Sequence, residues 1–132
     1  MSANQELFEF KFYEWEKKFR DNPYLRQPFG DEWEEYTWGK VGDMARRLAT
    51  GLKSLGLRDG AHIGIYSKNC REWIISDLAI VMAGYVSVPF FPSLNGKELS
   101  YIMEYGDVDA LFLGKIETCL LYTSDAADDL RC

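Results

Sequence analysis

Histidine occurs once in this chain of 132 residues, cysteine three times and proline four times. A lone histidine, His62, cannot build a multi-histidine metal site, and the spacing of Cys70, Cys119 and Cys132 fits no zinc site. His62 falls in or just before a strand and reads as structural or solvated. Cys70 stands at the start of an apolar helix, where a small buried hydrophobe is the ordinary role and a reactive thiol the rarer one. No apolar run approaches the ~20 residues that span a bilayer. Met1 to Gln5 is polar, so no secretory leader is expected, and a cytoplasmic protein is the default. Positive charge is also short: a net charge of −6 argues against nucleic-acid binding, which needs a basic surface. A glycine-rich phosphate loop is missing as well. Gly60 and Gly64 bracket a strand start with no Lys-Ser or Lys-Thr behind them.

What is present suffices for one domain with a modest core, since 47% of the residues are hydrophobic and 15% aromatic. Leu7 to Phe19 reads as a helix, with Phe8, Phe12, Trp15 and Phe19 on one stripe. That stripe is expected to pack on the domain. Membrane contact is not indicated, because Met1 to Arg20 carries as many acids as bases. Pro23 breaks the helix. Tyr24 to Phe29 and Glu32 to Thr37 flank Gly30-Asp31 and predict a β-hairpin. Thr37 then caps a helix over Trp38 to Leu55, with Val41, Met44, Leu48, Leu52 and Leu55 inward and Gly56 ending it. The acids Glu32 and Glu34 share one strand face, but a carboxylate pair without a pocket is normally a solvated face.

Ala61 to Pro92 is the most informative stretch. Ala61 to Tyr66 predicts a strand, and Asn69 is expected to cap the apolar helix that follows. Gly84 ends that helix as a left-handed cap would, and Tyr85 to Val88 resumes an extended pattern. A strand, a helix and a strand with short joins pair in parallel through a right-handed crossover. A further helix over Gly96 to Tyr105, with Leu99, Ile102 and Met103 inward, leads to a third strand at Asp109 to Leu113. The fold class is therefore α/β: a three-layer parallel-sheet fragment with an N-terminal helix and a β-hairpin. The expected core is Ile63, Ile65, Trp73, Ile74, Leu78, Val81, Val86, Val88, Leu111 and Leu113.

Several of these runs also resemble a known family. VMAGYVSVPFF, Val81 to Phe91, resembles the second core motif of the AMP-forming adenylating enzymes, and YTWGKV, Tyr36 to Val41, looks like the first. ARRLATGLKSLGLRDG, Ala45 to Gly60, is similar to the helix and turn before their first core strand. SKNCREW, Ser67 to Trp73, resembles the long-chain fatty-acid branch. The resemblance spans about Phe8 to Lys115. It implies an N-terminal fragment of a long-chain acyl-CoA synthetase, whose parent joins fatty acid and CoA at the expense of ATP, with magnesium, through an acyl-adenylate. The family's Ser/Thr/Gly-rich loop ending in Pro-Lys, its adenine segment, its ribose Asp and its lid Lys have no counterpart here. No catalytic residue and no metal ligand is carried over, and the fragment alone is expected to be inactive. Two other readings stand beside this one: a different acid-activating ligase of the superfamily, and a stand-alone α/β interaction module.

Ser67, Lys68 and Asn69 follow a parallel strand at the edge where α/β folds place ligands. They are candidates for the rim of a nucleotide or CoA groove, although the ordinary reading has Asn69 capping the helix and Lys68 solvated. Pro89 to Pro92 follows the second strand at the same edge. The domain is expected to occupy residues 1–118 and to pack against the remainder of the N-terminal domain. Residues 119–132, CLLYTSDAADDLRC, break the pattern and look like a translated transposase-type sequencing adapter. The codons TGT CTC TTA TAC ACA TCT GAC GCT GCC GAC give Cys119 to Asp128 letter for letter. This stretch is read as a non-native tail.

Overall fold

The computed structural model describes residues 3–116, with side chains from Phe8 onward. The expected boundary at residue 119 and the tail beyond it lie outside the described residues. The elements run α1 (Ala3–Lys18), β1 (Pro23–Phe29), β2 (Glu32–Thr37), α2 (Trp38–Ser54), β3 (His62–Tyr66), α3 (Arg71–Met82), β4 (Val86–Phe90), α4 (Gly96–Tyr105) and β5 (Val108–Leu113). β1 and β2 form the antiparallel hairpin, pairing Phe29 with Glu32 across two turn residues. Gly30 takes φ +59 there, left-handed backbone that a tight hairpin turn requires and that glycine adopts without strain. Among the described residues no helix is long and apolar enough to cross a membrane.

β3, β4 and β5 make a parallel sheet in the order β4-β3-β5. Crossover handedness then sets the layers. The step from β3 to β4 goes one way along the sheet and the step from β4 to β5 goes back past β3. Two right-handed crossovers of opposite direction must lie on opposite faces. Accordingly α3, with α2, covers Ile63, Ile65, Ala110 and Phe112, while α4 covers Tyr66, Val88, Phe90 and Leu111. β3 alternates between the two layers. Ile63 and Ile65 face one, and Gly64 faces the other, where an added Cβ would sit 2.6 Å from the Phe90 ring and 2.8 Å from Leu111 Cδ1.

The core corrects the expected list at both sheet margins. Ile63, Ile65 and Leu78 are buried; Trp73, Ile74, Val81, Val88 and Leu111 are half-buried. Val86 and Leu113 are exposed, each at an end of an outer strand. Leu55 is exposed at the end of α2. Ile102 is exposed because α4 turns Leu99 and Met103 to the sheet instead. Glycine caps behave as read: Gly84 takes φ +82 and Gly56 φ +68. Thr37 caps α2 through Lys40 N–H at 3.1 Å. Asn69, by contrast, is not the cap of α3. Cys70 holds that position without a side-chain capping bond, and Gln27 Oε1 of β1 accepts the Arg71 N–H at 3.0 Å instead.

The stripe expected on α1 also needs correction. Phe12 is buried, in a cluster with Tyr24 and Trp38 whose rings stack at 3.9 Å, but Phe8 and Trp15 are about half exposed. The residue buried beside Phe12 is Glu16, one turn on. Its carboxylate accepts two hydrogen bonds from Arg46 of α2, at 2.7 and 2.8 Å, and Arg46 also donates to Asp43 at 2.7 Å. Gly42 makes room for this pair: a Cβ there would lie 2.1 Å from Glu16 Oε1. His62 is structural, its backbone N–H donating to Asp109 at 2.9 Å and its Nδ1–H to Gly106 O at 2.6 Å.

Two outcomes follow from this geometry. Gly42→Ala should evict the Glu16 carboxylate and destabilise the chain by about 1–3 kcal/mol, as overpacking does. Gly51→Ala, in the same helix with open space around it, should instead stabilise by about 0.5–1 kcal/mol. Paired urea titrations read both. The second outcome concerns acid. Arg46 holds the Asp43 carboxyl below its usual range, Arg58 together with the His62 N–H does the same for Asp109, and Arg71 does so for Glu34. On acidification the unfolded chain takes up protons first. The stabilisation is therefore complete above the usual carboxylate pKa of about 4 and is lost as pH falls through the lower folded values. Urea midpoints measured from about pH 7 to about pH 3 should stay flat and then drop, with a smaller drop in high salt because these groups are exposed.

Candidate functional site

The carboxyl ends of β3, β4 and β5 converge on one edge, the position at which open parallel sheets receive ligands. There the pairing of β3 with β5 continues past both strands. Gly114 N–H donates to Tyr66 O at 3.0 Å, and Lys68 N–H donates to Lys115 O at 2.6 Å. Ser67, 4% exposed, closes the join: its Oγ accepts the Lys115 N–H at 3.0 Å and donates to Lys68 O at 2.9 Å. Gly114 must lack a side chain, since a Cβ would come within 2.4 Å of that oxygen. Ser67 is thus a strap between strands as well as a residue of the edge.

Two clefts open beside this strap. The first, of about 250 Å³, has Ser67 and Asn69 as its polar residues and an apolar wall made of Trp73 from α3 and residues 89–92, the end of β4 and the two residues after it. It joins two of the three groove-rim candidates with the Pro-Phe-Phe-Pro segment. Lys68, the third, does not line it. The second cleft, of about 360 Å³, lies between residues 25–28 of the hairpin and the start of α3 at Asn69, Cys70 and Arg71. Asn69 is common to both. Cys70 is half-buried at the start of α3, with Sγ 3.7 Å from Ser67 Oγ.

Charge at this edge is organised by Arg71. Its guanidinium donates to Glu34 of β2 and, at 2.9 Å, to Glu72, and it lies 4.9 Å from the Phe29 ring and 4.7 Å from the Tyr36 ring. The hydrogen bond from Arg71 is what depresses the Glu34 carboxyl. Glu35 pairs with Arg26 at 2.9 Å. Glu34 and Glu35 therefore serve in ion pairs that fix the hairpin. The sequence marked Arg71 only within the run Ser67 to Trp73, and nothing in it pointed to Gln27 or to the hydroxyl of Tyr66, which reaches Leu94 O at 2.6 Å.

Among the described residues this edge has room for a ligand and shows no reacting constellation. The first cleft offers an aromatic wall, one hydroxyl already engaged and one amide. Among the described residues no group of three or more His, Cys, Asp or Glu is placed to hold a metal ion.

Comparison with known proteins gives this edge a family. The model of the AMP-binding enzymes, described as "AMP-binding enzyme", matches residues 12–131, a span that runs on through the tail. The chain is 31% identical over 102 residues to long chain acyl-CoA synthetase 4 of Arabidopsis thaliana, covering 74% of this chain and 15% of that protein. It is 33% identical over 112 residues to the peroxisomal long chain acyl-CoA synthetase 6 of the same plant, covering 77% and 16%. Among solved structures, the anthranilate CoA ligase AuaEII in complex with anthranoyl-AMP superposes with a TM-score of 0.72 at 25% identity, covering 80% of this chain and 20% of that one. The chain thus spans about one sixth of the length of the curated relatives it matches. With a matching model over most of its length, the chain belongs to the AMP-binding enzyme family.

Proposed function

We propose that this chain is the N-terminal part of a long-chain fatty-acid–CoA ligase. The parent converts fatty acid, ATP and CoA into acyl-CoA, AMP and pyrophosphate through an acyl-adenylate, in the cytoplasm. The observation that carries the reading is identity above 30% across about three quarters of the chain to proteins named long chain acyl-CoA synthetases. The position within the parent rests on Tyr36 to Val41 and Val81 to Phe91, which resemble the first two core motifs of the family.

The residues here fit a supporting share of that reaction. A phosphate chain needs converging backbone N–H donors and a Lys, and magnesium needs several oxygen ligands. This segment offers neither a Ser/Thr/Gly-rich loop ending in Pro-Lys nor an acidic cluster among the described residues. In this reading ATP and magnesium are held by other parts of the parent. What this chain supplies is the wall of a groove at the carboxyl edge, where Trp73, Phe90 and Phe91 can receive an apolar or flat portion of CoA while Ser67 and Asn69 offer polar contacts.

A second reading, a ligase for an aryl acid, is favoured by the superposition on the anthranilate CoA ligase. The full-length enzyme carrying this chain separates the two. Pyrophosphate exchange should depend on long-chain fatty acids, and anthranilate or benzoate should support less than about one hundredth of that rate. Preference for the aryl acid would replace the first reading with the second. The chain of 132 residues alone should show no exchange with either acid, because the groups that perform the chemistry act as a unit.

A further inference from the structure

The connection from β4 to α4 is shaped by two local devices. Leu94 N–H closes on Phe91 O at 3.2 Å, with Pro92 where a preset φ favours such a turn. Asn95 then opens α4 with a capping box completed by Glu98, at 3.0 and 2.8 Å. Both devices shape the connection without attaching it to the sheet.

Tyr66, the last residue of β3, makes an attachment. Its side chain is fully buried in one cluster with Phe90 and Leu99. Its hydroxyl donates to Leu94 O at 2.6 Å, and Pro92 O stands 3.2 Å from the same oxygen. The phenol has one proton for the two carbonyls, so the Leu94 bond is the strong one and Pro92 shares it. A phenylalanine would fill the same space without the cost of a buried hydroxyl, so the oxygen earns its place through these carbonyls. The wall of the first cleft is built from residues 89–92. Phe91 is 77% exposed, so little side-chain packing fixes it, and its place depends on where the backbone is held.

We propose that Tyr66 is a positioning residue for this cleft: by holding the carbonyls of Pro92 and Leu94 it fixes the wall against Trp73 and sets the width of the CoA subsite. The anchoring stands on the hydrogen bonds. The assignment of the subsite to CoA rests on the ligase reading above.

Tyr66→Phe removes one oxygen and keeps the ring. The variant is made in the full-length enzyme and compared with the parent in two ways. By hydrogen exchange and mass spectrometry, residues 91–95 should exchange about tenfold faster, the loss of one hydrogen bond, while β3 and α3 keep their protection. In steady-state kinetics, KM for CoA should rise about tenfold, with kcat and the KM values for fatty acid and ATP within about twofold. A general loss of stability would instead move all four constants and deprotect β3. Unchanged exchange at 91–95 overturns the anchoring. Faster exchange with an unchanged KM for CoA overturns the CoA subsite and leaves the anchor standing. Absence of CoA-dependent turnover in the unmodified enzyme overturns the ligase reading itself, and the exchange measurement still decides the anchor.

Discussion

Burial of β3 on both faces and pairing on both of its edges is the constraint on which the other elements depend. A strand so placed has no side free for a large residue pointing the wrong way. Ile63 and Ile65 meet the layer of α2 and α3, while Gly64 leaves space for Phe90 and Leu111 to converge. With β3 central, the return from β4 to β5 must cross it, and handedness then sends α4 to the face that α3 leaves uncovered. The edge that carries both clefts is a by-product of this arrangement, because all three strands end there together.

The hairpin is joined to this unit by charge and rings as well as by apolar contact. Arg71 bridges Glu34 of the hairpin and Glu72 of its own helix and lies against Phe29 and Tyr36. Gln27 meanwhile supplies the acceptor that the first turn of α3 needs. The helix start that borders both clefts is thus completed by a different part of the chain. An exposed ion pair contributes little by itself, but here the pair and the rings act on the guanidinium, and the cap on the backbone N–H, of one residue, Arg71.

The strands, the hairpin turn, the parallel pairing and the glycine caps were legible because each depends on local pattern. Alternation in His62 to Tyr66, a Gly-Asp turn and left-handed glycines at 56 and 84 need no distant partner. The register of α1 was not legible. Its aromatic residues suggest a face through Phe8 and Trp15, whereas the buried face includes Glu16, whose partner Arg46 lies thirty residues away. Asn69 looked like a cap for the same reason: a good local candidate was present, and the tertiary acceptor Gln27 was invisible. At the site, strand ends place Ser67 and Asn69 beside a cleft. Lys68, whose own N–H pairs with Lys115 O, does not line it. Tyr66 was marked only as the end of a strand, because the use of its hydroxyl depends on a turn reached after a whole helix and strand.

The contact between Glu16 and Gly42 has a historical consequence. A carboxylate occupies the space that a methyl at position 42 would need, so the order in which two changes arise matters. Loss of Glu16 first would empty that space, leave Arg46 seeking another acid, and make alanine at 42 acceptable or even favourable in a helix. Alanine first would meet the full clash. Among descendants of this sequence, position 42 is therefore free to diverge only along lineages that have already given up the acid, and the two positions should vary together although they are 26 residues apart in the chain.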